Sequence, residues 1–370
     1  MSTRVRRSVA KSLPDFPWDS LTDAKAKAAA HPDGIVNLSV GTPVDPVAPV
    51  IREALVSVAE EPGYPTTHGT AELRRAAVGA LERRYGITGL DDSAILPAIG
   101  TKEMIAWLPS LLGLGADDLV VIPELAYPTY EVGGLLAGAR IIRADGLTRL
   151  GPEVASLVFV NSPSNPTGKV LGPDHLRKVV DWARSRNAIV VSDECYLGLT
   201  WECEALSILH PNVCGGDHTN LLAVHSLSKT SNLASYRAGF VTGDADLVAD
   251  LLEVRKHSGM MLPLPIQAAM TAALNDDEHE NAQREKYRKR REVLLEAVRG
   301  AGFTVDHSEA GLYLWATRGE GCRATVDWFA DRGILVAPGE FYGPGGVLHV
   351  RIALTATDDA IDAAAARLRR

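Results

Sequence analysis

From about residue 70 onward the chain alternates between two periodicities. AELRRAAVGALERRYG (71–86) carries apolar residues at helical spacing and closes on Gly86, which predicts a helix with a glycine stop. LVVIPE (119–124), LVFVNSP (157–163), AIVVSDE (188–194), LLAVHS (221–226) and AGFVTGD (238–244) are short, β-branched apolar runs without polar alternation. Helical stretches such as DHLRKVVDWARSRN (174–187) lie between them. Strands that are apolar on both faces and separated by helices predict an α/β domain with a mostly parallel sheet covered on both sides. After about residue 255 the pattern changes. A long charged helix near 277–300 is followed by AGFTVDHSEAGLYLWAT, a helix near 322–332, ILVAPGEFYG and VLHVRIAL, a smaller α+β region. No strand precedes VNLSVG (36–41) to begin the large sheet, so the N-terminal segment is expected to pack with the smaller region. The expected division is a large domain over 43–255 and a small one from 1–42 with 256–370.

The ends of the apolar runs carry polar residues: Asn161 and Asn165, then Asp193, then Ser226 and Lys229. In an open α/β sheet the ligand lies beyond the carboxyl ends of the strands. Separate segments therefore aim polar groups at one place.

Composition narrows the classes. The chain has 370 residues, 46% hydrophobic and 23% charged, with a net charge of −8. That length predicts two domains, and no Lys/Arg cluster is dense enough to read as a nucleic-acid footprint. The basic N-terminus MSTRVRRSVAKSLPDFPW lacks the apolar core of a secretory signal, and no apolar run is long enough to span a bilayer. Cys195, Cys203, Cys214 and Cys322 show neither C-x-x-C nor zinc spacing, so reduced thiols in a cytoplasmic protein are expected, and no metal site.

HSLSKTSNLASYRAG (225–239) admits two chemistries. Ser226 and Lys229 form S-x-x-K, the pattern of a serine acyl-transfer enzyme, but there is no K-T-G element and no G-x-S-x-G elbow in the chain. GLGADD (113–118) lacks the third glycine of a dinucleotide fingerprint, and NPTGKV lacks the rest of a P-loop. The second chemistry is a lysine that forms a Schiff base with pyridoxal 5′-phosphate. Such a lysine needs phosphate donors, a carboxylate at the ring nitrogen, a stacking face and donors to the phenolic oxygen. Candidates exist for each. Gly100, Thr101 and Lys102 precede an apolar helical stretch whose backbone N–H groups can cradle a phosphate. Ser226, Ser228 and Arg237 add side-chain donors. Asp193 is the partner for a pyridinium, Tyr127 the stacking ring, and Asn165 and Tyr196 the donors to the phenolic oxygen. Arg351 lies in the apolar strand HVRIAL, where a buried guanidinium calls for an anion such as a substrate carboxylate. Gly41 is expected to let the backbone approach the substrate. Tyr313 and Trp315 alternate on a strand and read as core, and His225 and His349 as structural.

With these residues the chain resembles the class I aminotransferases of the fold-type I pyridoxal-phosphate superfamily. The motifs are VGTP (40–43), YPTTHG (64–69), GTKE (100–103), AYPTY (126–130), NSPSNPTG (161–168), SDECY (192–196), HSLSKTSNLASYRAG and HVRIAL (349–354), in family order along the chain. The resemblance implies an aspartate aminotransferase-like fold, Lys229 and Asp193 as catalytic residues, and substrate contacts from Gly41, Asn165 and Arg351. It also implies a homodimer with shared active sites, in which Tyr64 reaches the phosphate of the partner subunit. Glutamate and 2-oxoglutarate are the implied amino-acid and oxo-acid pair. Longer segments, FPWDSLTDAKAKAAAHPDGIVNLSVGTPVDPV and ILVAPGEFYGPGG among them, are similar to the branch that acts on N-succinylated diaminopimelate precursors in lysine biosynthesis. An aspartate or broad-specificity aminotransferase is the alternative, and a C–S lyase a more distant one, because the same scaffold hosts all of them.

Overall fold

The computed structural model describes residues 8–369; the first part of the basic N-terminus and of the expected small domain, 1–7, lies outside the described residues. Seven strands form the large sheet, in the order Ile95–Ile99, Ala238–Gly243, Leu221–Ser226, Ile189–Asp193, Leu157–Asn161, Leu119–Ile122, Arg140–Arg143. Ala238–Gly243 alone runs antiparallel to its neighbours. The five apolar runs of the sequence are all in this sheet. Its two edges are the strands that the pattern does not announce. Ile95–Ile99 contains Pro97, and proline is tolerated in a sheet at an edge, where its missing N–H costs no ladder bond. Arg140–Arg143 places two arginines around two isoleucines, as a half-exposed edge allows.

Helices cover both faces. Ala71–Tyr85 starts on Thr70, whose side chain accepts from the Leu73 amide, and stops at Gly86 in the left-handed conformation, φ 64°. Its buried Leu73, Ala77, Ala80 and Leu81 join one apolar cluster with Val190, Leu221 and Ala223 from the sheet. Helix Thr101–Leu111 supplies Met104, Ile105 and Leu108 to the cluster on the other face, with Val120, Val191 and Val224.

The smaller sheet has the order Ala337–Pro338, Val350–Ala353, Tyr313–Thr317, Thr304–Asp306, all antiparallel. A separate apolar cluster around Leu314, Ile352, Phe329 and Val298 also takes in Leu21, Val36 and Leu38 from the N-terminal segment. Val36–Asn37 pairs in parallel with Ile334–Leu335. Helix Leu264–Asn275, which follows residue 255, buries Ala269, Met270 and Ala273 in the cluster of the large sheet. The core thus carries the large unit past the expected boundary at 255, and the 24-residue helix Asp277–Gly300 is the element that leads into the small one. All four cysteines are unpaired. Among the described residues, no helix is long and apolar enough to cross a membrane.

Candidate active site

Register assembles the site. In the large sheet Asn161 stands opposite Asp193, and Asp193 opposite Val224, two residues before Ser226. The carboxyl ends of three adjacent parallel strands therefore deliver their polar residues side by side. Arg351 comes from the small sheet and reaches the same place: its Nη1 donates to Asn165 Oδ1 at 2.9 Å and its Nη2 to the Ser39 carbonyl at 2.8 Å.

Lys229 lies in the one-turn helix Leu227–Thr230 that follows strand Leu221–Ser226. Its Nζ donates to the Gly41 carbonyl. Burial lowers its pKa, and the cations Arg351 and Arg237 add to that against the opposing effect of Tyr313 and Cys195. A lysine held this way is biased toward the neutral amine, the nucleophilic form. The Lys229 carbonyl accepts from the Tyr287 hydroxyl at 3.2 Å, which ties this turn to the long helix. The Gly41 loop is tied to the same helix, through two 2.7 Å bonds from Arg290 to Asp45.

Asp193 is buried at its strand end. Burial pushes its carboxyl up from the ordinary value, and this is offset in part by the Cys195 thiol, by the Tyr130 hydroxyl donating to Oδ2 at 2.7 Å and by the Cys195 amide donating to Oδ1 at 3.2 Å. A buried carboxylate so placed gains from a cation set against it, as a protonated ring nitrogen is. Asn161 anchors the neighbourhood. Its Nδ2 donates to the Asp193 carbonyl at 2.9 Å, and its Oδ1 accepts the Asn165 amide at 2.7 Å.

A second group of residues forms an anion cradle. Gly100 caps helix Thr101–Leu111 with φ 75°, and a Cβ there would fall 2.1 Å from Arg237 Nη2. The guanidinium thus lies directly over the N-terminus of that helix. Arg237 itself has φ 58°, a conformation costing a non-glycine residue about 1–3 kcal/mol, which the packing sustains at this site. Ser226 accepts from the Ser228 amide at 3.2 Å. The N–H groups of a helix N-terminus, with a guanidinium over them and the hydroxyls of the neighbouring strand end and turn, fit a phosphate. Lys102 contributes its backbone position only, since its ammonium lies 5.5 Å from the Phe16 ring centre, turned outward.

Tyr127 is half-buried beside Asp193 and Tyr313, and burial raises its phenol to about 12. Its ring meets Tyr130 edge-on at 5.8 Å. Tyr196 Oη is 3.1 Å from Tyr313 Oη. Of the residues proposed from the sequence to bind cofactor or substrate, Tyr64 stands apart, 94% exposed. His225 and His349 are outside the cluster: His225 stacks on Phe240, and His349 pairs with Asp306 at 2.8 Å while lying over Trp315.

The structure also brings in residues that sequence reading passed over. Tyr313, read as core, is central to the site. Tyr130 was visible only as the second tyrosine of AYPTY. Neither carries a local signal, because each acts through a contact with a residue far along the chain.

A lysine, a buried carboxylate with its own donors, an anion cradle and a buried arginine therefore converge beyond the carboxyl ends of the central strands. The residues fit a phosphorylated pyridine aldehyde. The family model for aminotransferase class I and II matches residues 33–368. Over 364 residues the chain is 68% identical to a "probable aminotransferase" of Mycobacterium tuberculosis, covering 98% of this chain and 87% of that one. It is 56% identical to a 4-dedimethylamino-4-oxo-anhydrotetracycline transaminase of Streptomyces rimosus, over 97% of this chain and 99% of that one. A solved structure titled as a probable N-succinyldiaminopimelate aminotransferase of Thermus thermophilus superposes with TM-score 0.86 at 30% identity, covering 96% of this chain and 99% of that one. The family and its fold are pyridoxal-phosphate-dependent. The chain belongs to the class I and II aminotransferases and is a transaminase.

Proposed function

We propose that this transaminase moves the amino group of L-glutamate to N-succinyl-2-amino-6-oxopimelate, releasing 2-oxoglutarate and the succinylated diamino acid, in two half-reactions at one site. The observation that carries the amino-acid half is Arg351. It is buried, its Nε has no hydrogen-bond partner, and tyrosines rather than carboxylates surround it. Its open donor suits a substrate α-carboxylate held next to Asn165 and the Gly41 backbone.

Pyridoxal phosphate, when bound, serves as the sink for the electron pair released at the substrate Cα. The protein's residues take defined parts around it. Lys229 holds the cofactor by its Nζ. With cofactor and substrate bound, that Nζ would take the substrate Cα proton in one half-reaction and give one back to Cα in the other. Asp193 holds the proton of the ring nitrogen, and Tyr127 covers the ring face. Asn165 and Tyr196 donate to the phenolic oxygen. The N-terminus of helix Thr101–Leu111 at Gly100, Thr101 and Lys102, with Ser226, Ser228 and Arg237, binds the phosphate. Tyr64, exposed on its own subunit, completes the phosphate site of a partner subunit in a homodimer. We place the enzyme in the cytoplasm.

The acceptor rests on the similarity of the long segments to the succinyldiaminopimelate branch and on the Thermus thermophilus structure. The Streptomyces rimosus relative, named for a 4-oxo-anhydrotetracycline, favours a second reading, a broader acceptor range. An absorbance titration of the holoenzyme separates them. L-Glutamate should convert the visible cofactor band to the amine form, and N-succinyl-2-amino-6-oxopimelate should restore it. A band restored by oxaloacetate and not by the succinylated acid would make this an aspartate aminotransferase.

A further inference from the structure

Tyr313 opens strand Tyr313–Thr317. On the neighbouring antiparallel strand Arg351 stands opposite Trp315, and Tyr313 opposite Ala353. Residues two apart on a strand share a face, so Tyr313 lies diagonal to Arg351 and within reach of it. The Arg351 guanidinium carbon is 3.9 Å from the Tyr313 ring centre and 4.9 Å from that of Tyr342. The hydroxyl end of Tyr313 reaches the opposite side of the site, where Tyr313 Oη is 3.1 Å from Tyr196 Oη and the two rings meet at 75°. A third contact is to the loop that holds the lysine: a Cβ on Gly41 would fall 2.2 Å from Tyr313 Oη, and the Gly41 carbonyl accepts Lys229 Nζ.

A side chain present only to fill space has no need of this arrangement. A buried hydroxyl is costly unless it is bonded, and phenylalanine would fill the same volume without that cost. Here the tyrosine is buried and its hydroxyl meets another phenol. The electrostatics agree. Burial pushes the Tyr313 phenol up, but Arg351, Lys229 and the Tyr196 hydrogen bond together outweigh it and the net shift is down. Tyr196 is held well above its usual value by burial, with Tyr313 adding to it. The two phenols are thus unlike, and the hydrogen bond between them has a direction that neighbouring charges can set.

We propose that Tyr313 is a positioning residue of the active site, its ring seating Arg351 for the substrate carboxylate and its hydroxyl orienting that of Tyr196 toward the cofactor. This rests on the roles proposed above for Arg351 and Tyr196. One side chain then links the substrate end of the site to the cofactor end. The two tasks belong to different parts of it, so they separate by substitution. Tyr313→Phe keeps the ring on Arg351 and removes the hydroxyl. Tyr313→Leu removes both.

The test uses the holoenzyme and reads two quantities: the pH midpoint of the cofactor's visible band without substrate, and KM against kcat for L-glutamate. Tyr313→Phe should move the midpoint by roughly half a unit to one unit, in the direction that Tyr196→Phe moves it, as expected for loss of one hydrogen bond. The Tyr196→Phe, Tyr313→Phe double variant should move no further than Tyr196→Phe alone, because coupled groups are not additive. Glutamate KM in Tyr313→Phe should stay within about twofold of wild type. Tyr313→Leu should repeat the midpoint shift and raise KM by about tenfold. A wild-type midpoint in Tyr313→Phe, or shifts that add in the double variant, would overturn the proposal, and Tyr313→Phe is mild enough to fold if Tyr313→Leu does not. The underlying reading fails separately: if Tyr196→Phe leaves the midpoint unchanged, Tyr196 does not serve the cofactor, and the coupling falls with it.

Discussion

The Tyr130 hydroxyl donates to Asp193 Oδ2 at 2.7 Å, across 63 positions of sequence. Tyr130 is fully buried and stacks on Phe159 at 4.9 Å, so its hydroxyl is aimed by packing. Removing it leaves Asp193 with Cys195 alone, whose amide donates at 3.2 Å. Hydrogen bonds to charged groups are worth about 1.5–3 kcal/mol. Tyr130→Phe should therefore weaken pyridoxal-phosphate binding by about tenfold or more, measured by equilibrium dialysis of the cofactor. Unchanged affinity would mean that Asp193 is not the residue that holds the ring nitrogen.

Gly41 lies where no side chain fits. A Cβ would fall 2.2 Å from Tyr313 Oη and 2.8 Å from its ring carbons. Gly41→Ala must displace the tyrosine, the loop, or both, and Lys229 is bonded to that loop. A misplacement of about 1 Å in a site of this kind can cost on the order of a hundredfold. The expected result is a drop of that size in kcat/KM for glutamate with the protein still folded, checked by steady-state kinetics alongside circular dichroism.

Arg351 is held by Asn165 and Ser39 with Nε left over, under two tyrosine rings. Lysine offers a point charge and cannot reproduce the planar fork. In Arg351→Lys the KM for glutamate should rise by about a hundredfold, as for breaking a buried charge pair. Amines without a carboxylate should lose far less, and the ratio of the two rates is the measurement.

Glu194 follows Asp193 and faces the other side of the sheet. It is buried, its Oε1 accepts the Ile208 amide at 2.8 Å, and its Oε2 lies 3.6 Å from His225 Nε2. Burial raises its pKa from 4.5 to about 7, and burial lowers that of His225 to about 3. The folded state therefore binds a proton at Glu194 that the unfolded chain releases above pH 4.5. That contribution to stability is fully present below pH 4.5 and is lost as pH rises to about 7, a change on the order of 3 kcal/mol. Glu194→Gln should flatten this part of the stability profile, seen in urea midpoints of the holoenzyme between pH 5 and 8. A profile as steep as wild type would exclude Glu194 as the titrating group.

The sequence announced the strands that are apolar on both faces and the helices between them, because burial on two sides leaves an unbroken apolar run. It did not announce the edges. Pro97 interrupts the apolar run of Ile95–Ile99, and Arg140–Arg143 is too short and too charged to stand out. The polar residues at strand ends were legible for a similar reason, since Asn161, Asp193 and Ser226 interrupt such runs. Tyr313 and Tyr130 were not. A tyrosine in an apolar run looks like core until its hydroxyl acquires a partner, and here the partners are 117 and 63 positions away. Lys102 was legible as part of GTKE, but only the structure separates its backbone from its outward ammonium.

The central claim is that Lys229 carries the cofactor. The direct measurement is to treat the pyridoxal-phosphate-loaded protein with borohydride, digest it, and locate the added mass by peptide sequencing in a mass spectrometer. The account predicts a single labelled lysine, Lys229, and no label after prior treatment with L-glutamate. Label on another lysine, or none, would contradict it.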